Sequence, residues 1–151
     1  MFCKRKIAVD ILNQIAEIEK EVFSDAWSHE SIRDSLGYDY NHFLAVTMDG
    51  KVIRDVQADQ NIEIAGYILY SNLDIIELQR IAVRESCRRR GFADRMMEIF
   101  TDIVDKIILE VRSKNIPAIS LYNKYGFKEI SVRKNYYNNP ADDAIIMERH
   151  N

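Results

Sequence analysis

The stretch Ile81-Ala82-Val83-Arg84-Glu85-Ser86-Cys87-Arg88-Arg89-Arg90-Gly91-Phe92-Ala93-Asp94 decides the fold. Its first residues end an apolar run that reads as a strand, and its last ones open a segment in which Phe92, Met96, Phe100 and Ile103 recur at helical spacing. Strand, short basic turn and helix therefore follow one another. The free N–H groups at such a helix start form an anion site, and small residues there let a phosphate come close to the backbone. An arginine triplet alone reads as a solvated turn. Its place between strand and helix makes Arg88 to Ala93 a candidate cradle for a diphosphate.

Downstream, Ile107, Leu109 and Val111 alternate as a strand. A well-delimited helix follows. Asn115 serves as its N-cap, Pro117 falls in the first turn where a missing N–H costs nothing, and Gly126 stands just past its end. Strands around Phe127 to Val132 and Ala144 to Met147 close the chain. Upstream, Ile11, Ile15, Ile18 and Val22 mark an amphipathic helix capped by Asp10, broken by Phe23 to Trp27. Ser28 caps a second short helix that runs to Leu36 and stops at Gly37. A strand over His42 to Met48 turns at Asp49-Gly50 into another from Lys51. After a polar loop through Asn61, Ile64 to Tyr70 is a strand, and Ser71-Asn72 turns the chain into the long strand ending at Val83. The order ααββββαβαββ predicts one mixed sheet with helices on both faces, an α/β fold within a single domain over 1–151.

The 151 residues carry a net charge of -3, with 47% hydrophobic and 30% charged residues. A chain of this size buries roughly 68 to 70% of its unfolded surface, so a real core is expected. The acidic balance argues against a broad nucleic-acid grip, which needs many phosphates neutralised, and a basic partner suits it better. No run approaches a signal peptide or a membrane span, so neither export nor a membrane partner is expected. Cys3 and Cys87 have no disulfide framework and no metal-ligand spacing, which fits a reducing cytoplasm and predicts no metal. Cys87 sits near arginines, but His29, His42 and His150 offer no base for a nucleophilic thiol.

With these residues in place, the sequence resembles the GNAT superfamily, whose coenzyme A loop of the form Gln/Arg-x-x-Gly-x-Gly/Ala follows a strand ending like Ile81-Ala82-Val83. Arg88, Gly91 and Ala93 occupy that pattern. A denser resemblance is to ribosomal-protein-alanine N-acetyltransferases of the RimI type. It runs through Leu109-Glu110-Val111-Arg112, Asn115, Ala118, Leu121-Tyr122, Tyr125-Gly126-Phe127, Arg133, Asn135-Tyr136-Tyr137 and Asp143-Ala144-Ile145-Ile146-Met147, with Phe23 and Trp27-Ser28 matching the first loop. The resemblance implies a mostly antiparallel mixed sheet and acetyl-coenzyme A as co-substrate. It implies cofactor contacts from Ile81, Ala82, Val83, the loop Arg88, Arg89, Arg90, Gly91, Phe92, Ala93, Asp94, and Asn115. It further implies Glu110 as general base, Tyr122 as general acid, and the N-terminal peptide of a basic small-subunit ribosomal protein as acceptor.

The residue types agree with that chemistry. An amine must lose a proton to attack a thioester, and the departing thiolate must gain one. Taken alone, Glu110 reads as a solvated strand position out of phase with Ile107, Leu109 and Val111, and Tyr122 as a core aromatic. Two other readings stay open: an acetyltransferase for a small amine or a lysine, and a coenzyme A binding module without catalysis.

Overall fold

The computed structural model describes residues 9–55, 61–103 and 106–150. Cys3 and most of the polar loop before Asn61 lie outside them.

Helix α1 (Val9–Val22) turns Ile11, Ile15 and Ile18 inward at 3.6-residue spacing, all fully buried. Asp10 lies within its first turn, where a carboxylate suits the helix dipole, and not at the cap position expected for it. Helix α2 (His29–Leu36) is capped as expected, the Ser28 hydroxyl accepting from the Ser31 N–H. Gly37 ends α2 with right-handed backbone, φ -69°, so its role there is not that of a left-handed residue. Strands β1 (Asn41–Thr47) and β2 (Val52–Arg54) form the predicted hairpin, and Gly50 supplies the positive φ of its turn.

Strand β3 (Ile64–Asn72) is longer than the pattern indicated, and β4 (Ile76–Val83) starts later. Ser71 and Asn72 still pair with Glu77 and Ile76, so the reversal falls at residues 73–75 and not at Ser71-Asn72. After a single 3-10 turn (Glu85–Cys87) come α3 (Phe92–Ile103), β5 (Lys106–Arg112), α4 (Ile116–Lys124), β6 (Lys128–Tyr137) and β7 (Asp142–His150). One seven-stranded sheet results, in the order β2-β1-β3-β4-β5-β7-β6, and every neighbouring pair is antiparallel except β4 with β5.

Helices cover both faces. On one, Leu44, Ile68, Leu78, Met96, Phe100, Leu109 and Phe127 bring α3 and α4 onto the sheet. On the other, Ile11, Ile15, Ile32, Phe43, Tyr67 and Leu69 bring α1 and α2 onto it. The period-two alternation of β3 and β1 feeds the two cores in turn, as for a central strand buried on both faces. No helix among the described residues is long and apolar enough to cross a membrane.

Candidate active site

The site begins where two strands part. β4 and β5 pair in parallel only at Ile76 with Ile107, Glu77 with Ile108 and Leu78 with Leu109. Just past Leu78 the β3–β4 register slips, Leu69 facing Arg80 while Tyr70 faces Leu78, which leaves Gln79 as an extra residue in β4. Such a bulge bends its strand. β4 then follows β3 to Val83 while β5 follows β7 to Arg112, and the cleft between them opens. From Gln79 to Val83 the β5-facing backbone groups of β4 lie opposite no β5 residue, a ready edge for an extended ligand.

A trough of about 780 Å³ occupies this opening. Among its walls are Ile81, Ala82, Val83, Arg88, Ala93 and Asn115, six of the residues singled out from sequence for cofactor contact. Arg89, Arg90, Gly91, Phe92 and Asp94 are not among its lining side chains. Arg89 and Gly91 carry the left-handed backbone that swings the loop into α3, with φ of 61° and 79°. A Cβ at Gly91 would meet nothing in the protein within 4 Å, so open space lies over the loop. The first intrahelical bond of α3 runs from the Arg95 N–H to the Gly91 carbonyl, and the amides preceding Arg95 stand at an open helix start. Phe92 is buried in the core, with the Arg90 guanidinium 5.1 Å from its ring. The Asp94 carboxylate turns away to α4, 2.6 Å from Lys124 Nζ and 2.8 Å from the Tyr125 hydroxyl that donates to it. The Lys124 bond above all holds Asp94 below the usual carboxylate range. Asn115 caps α4 as predicted, its Oδ1 accepting from the Ala118 N–H at 3.3 Å.

A smaller cavity of about 150 Å³ shares Phe23, Asp25, Ile81, Arg112, Asn115 and Ala118 with the trough. Glu110 and Tyr122 both line it. Glu110 projects out of phase with the buried Leu109 and Val111, on the residue just past the last β4–β5 pair. Its carboxylate lies 3.5 Å from Arg133 Nη1, and its interaction with the Tyr136 phenol raises that group above its ordinary value. Tyr122 is only 6% exposed, and burial, with Tyr137 adding to it, raises its phenol far above the ordinary value. Its proton is therefore retained at any physiological pH. Tyr137 is raised too, by burial and then by the Glu110 charge, while the Arg112 guanidinium stacks 4.2 Å from its ring. Arg112 also donates to the Pro140 carbonyl at 2.7 Å, which ties the β6–β7 turn to the cleft.

Sequence reasoning had no signal for Glu77 and Asp25, and marked Phe23 only through its match to the family's first loop. Glu77, on the adjacent strand, has a carboxyl raised by burial and by the Glu110 charge. Phe23 and Asp25, in the α1–α2 connection, close the cavity from the other face. Cys87 is 1% exposed, against Met48 Sδ at 3.7 Å, and serves as core.

A model of the acetyltransferase (GNAT) family matches residues 12–127. The chain is 32% identical over 137 residues, 86% of its length and 84% of the relative's, to the [ribosomal protein bS18]-alanine N-acetyltransferase of Escherichia coli (strain K12). It is 29% identical over 168 aligned positions, covering 98% of this chain and 92% of the relative, to an N-alpha-acetyltransferase of Saccharolobus solfataricus. The crystal structure of the ribosomal-protein-S18-alanine N-acetyltransferase from Escherichia coli superposes with a TM-score of 0.75 at 28% identity, over 92% of this chain and 86% of that one.

Proposed function

The chain belongs to the acetyltransferase (GNAT) family, and on that premise we propose that it acetylates a protein N-terminal α-amine, the N-terminal alanine of a small-subunit ribosomal protein being the first candidate. The observation that carries this reading is that Glu110 and Tyr122 line one small cavity, at the parting of β4 and β5, which shares its walls with a trough of about 780 Å³.

Acetyl-coenzyme A suits the trough on three counts. The Arg88–Ala93 loop offers open helix-start amides and a positive side chain to a diphosphate. The β4 edge from Gln79 to Val83 offers alternating N–H and C=O groups to an amide-bearing arm. Ala93, Ala118 and Leu121 supply apolar wall. In this reading Asp94 contributes main chain only, because its carboxylate is engaged with α4.

Glu110 takes a proton from the acceptor amine, directly or through water, as the nitrogen attacks the thioester carbonyl. A β4 main-chain N–H near Val83 meets the carbonyl oxygen as its charge develops. The carbon–sulfur bond breaks, and Tyr122 gives its hydroxyl proton to the departing thiolate. Arg133 and Tyr136 steady the Glu110 carboxylate. An α-amine, with a pKa of about 7.7 to 8.0, is partly neutral at pH 7 and reacts where a lysine, at about 10.4, is almost wholly charged. The net charge of -3 favours a basic acceptor chain.

The test is transfer of labelled acetyl to a panel holding the N-terminal peptides of small-subunit ribosomal proteins, the same peptides with blocked α-amines and free lysines, and polyamines. The reading expects label only on free α-amines, with an alanine-first basic peptide leading. Preferred labelling of lysine or polyamine would replace it with the small-amine or lysine alternative.

A further inference from the structure

Glu19, in the last turns of α1, is a carboxylate with 0% exposure. Its Oε1 accepts from the Tyr67 hydroxyl at 2.6 Å and lies 3.3 Å from Arg80 Nε, and its Oε2 accepts from the Trp27 N–H at 2.9 Å. An ionised group so far from water persists only when charge and hydrogen bonds surround it, and these three partners do so.

Arg80 projects from β4, one residue past the bulge. Besides Glu19, its Nη2 donates to the Asp25 carbonyl at 3.0 Å and its Nη1 lies 3.6 Å from the Asp25 carboxylate. Its guanidinium also sits 4.3 Å from the Phe23 ring centroid and 4.9 Å from that of Trp27. A planar fork that pairs, donates and stacks at once is something arginine does and lysine does not. Every one of these contacts falls on the connection between α1 and α2, whose Phe23 and Asp25 line the Glu110–Tyr122 cavity beside Arg80 itself.

We propose that Arg80 is a positioning residue for the acceptor: with Glu19 it clamps the Phe23–Trp27 segment to β4 and so fixes the cavity wall against which the first residue of the acceptor peptide seats. The proposal rests on the reading of that cavity as the acceptor site. Its consequence is a split between acceptor and donor. Loss of the clamp loosens the wall that Phe23 and Asp25 give to the cavity and to the adjoining end of the trough, and leaves the Arg88–Ala93 loop, on the other side of β4's end, as it was.

Two variants test it. Arg80→Lys keeps a cation for Glu19 but loses the fork and the stacking, and Glu19→Gln/Arg80→Met removes both charges together, so that neither leaves a lone buried charge. Steady-state kinetics with the best peptide, acetyl-coenzyme A binding by calorimetry, and backbone hydrogen exchange across residues 23–27 are measured for each. In both variants the peptide KM should rise about tenfold, the worth of roughly one charge-assisted hydrogen bond. Both should keep kcat within about twofold and lose less acetyl-coenzyme A affinity than peptide affinity, because the Arg88–Ala93 loop is untouched, while exchange at residues 23–27 quickens. Unchanged peptide KM and unchanged exchange would overturn the clamp. A loss of kcat and of co-substrate affinity as large as the rise in peptide KM would overturn the positioning role in favour of a general structural one. If the wild type acetylates no amine, the acceptor reading fails by itself, and exchange still decides whether Arg80 holds the segment.

Discussion

Leu78 and Leu109 are the last residues at which β4 and β5 face each other, and the residue after Leu109 is Glu110. The carboxylate thus stands at the apex of the cleft, where the trough and the small cavity share their walls.

Replacing that carboxylate with its amide tests its role as base. Glu110→Gln keeps an oxygen for Tyr136 and Arg133 but cannot take a proton. The expected result is a lower kcat/KM for the peptide by about 10² to 10⁴ at pH 7, shrinking as pH rises above the amine pKa of about 7.7 to 8.0, where a base is no longer needed. A loss equal at every pH would indicate positioning. The same variant should lower the Glu77 pKa, since the Glu110 charge is the second cause of its rise after burial. A carboxyl titration by NMR reads this without any activity.

How far could such a site be read without coordinates? The strand–turn–helix around Gly91, the alternation that turns Glu110 out of the core, and the Asn115, Pro117 and Gly126 bounds of α4 all rest on contacts within a few residues, and local pattern carries them. The length of β6 does not. As an edge strand it is exposed almost throughout, it carries Arg133, Lys134 and Asn135 in mid-strand, and Asn135 takes a positive φ of 55°, so no alternation marks it. The turn after β3 was misplaced because Ser71 and Asn72 are turn-type residues, whereas their ladder with Glu77 and Ile76 is tertiary. Arg80 and Glu19 lie far apart in sequence, and nothing local in either announces their pairing.

The loop glycine gives a prediction about the co-substrate. Gly91 holds φ 79° with open space around its Cα, so Gly91→Ala strains only the backbone in the free protein, costing about 1 kcal/mol. A methyl group there would, however, stand where the proposed diphosphate approaches. The wild-type melting temperature should rise with acetyl-coenzyme A by mass action, and the rise should be largely lost in Gly91→Ala. A full thermal shift in the variant would remove the diphosphate from this loop.

Asp94 yields a prediction about pH and stability. Its carboxyl is held below its ordinary value of 3.8 by Lys124 first and then by the Tyr125 hydroxyl, so its contribution is present above that value and fades as pH falls through the lowered one. The Tyr125 phenol is pushed up to about 12, by burial and then by Asp94, so its share is complete below 10 and is lost as pH climbs through about 12. Asp94→Asn should therefore melt below wild type between those limits, by a gap that narrows as pH falls below 3.8. The pair is well exposed, which keeps the difference to about 1 kcal/mol or less. Thermal melts from pH 3 to 8 check it, and a gap that widened on acidification would contradict the assignment.

The central claim is that Tyr122 gives its proton to the leaving thiolate in the cavity it shares with Glu110, and Tyr122→Phe measures it most directly. Phenylalanine keeps the ring that packs 5.7 Å from Phe127 and removes only the hydroxyl. The account predicts a variant that melts within a few degrees of wild type, binds acetyl-coenzyme A nearly as well, and loses kcat by about 10² to 10⁴, with part of the rate restored by an acyl donor whose thiol is more acidic. Near-normal kcat in Tyr122→Phe, with folding and binding intact, would contradict it.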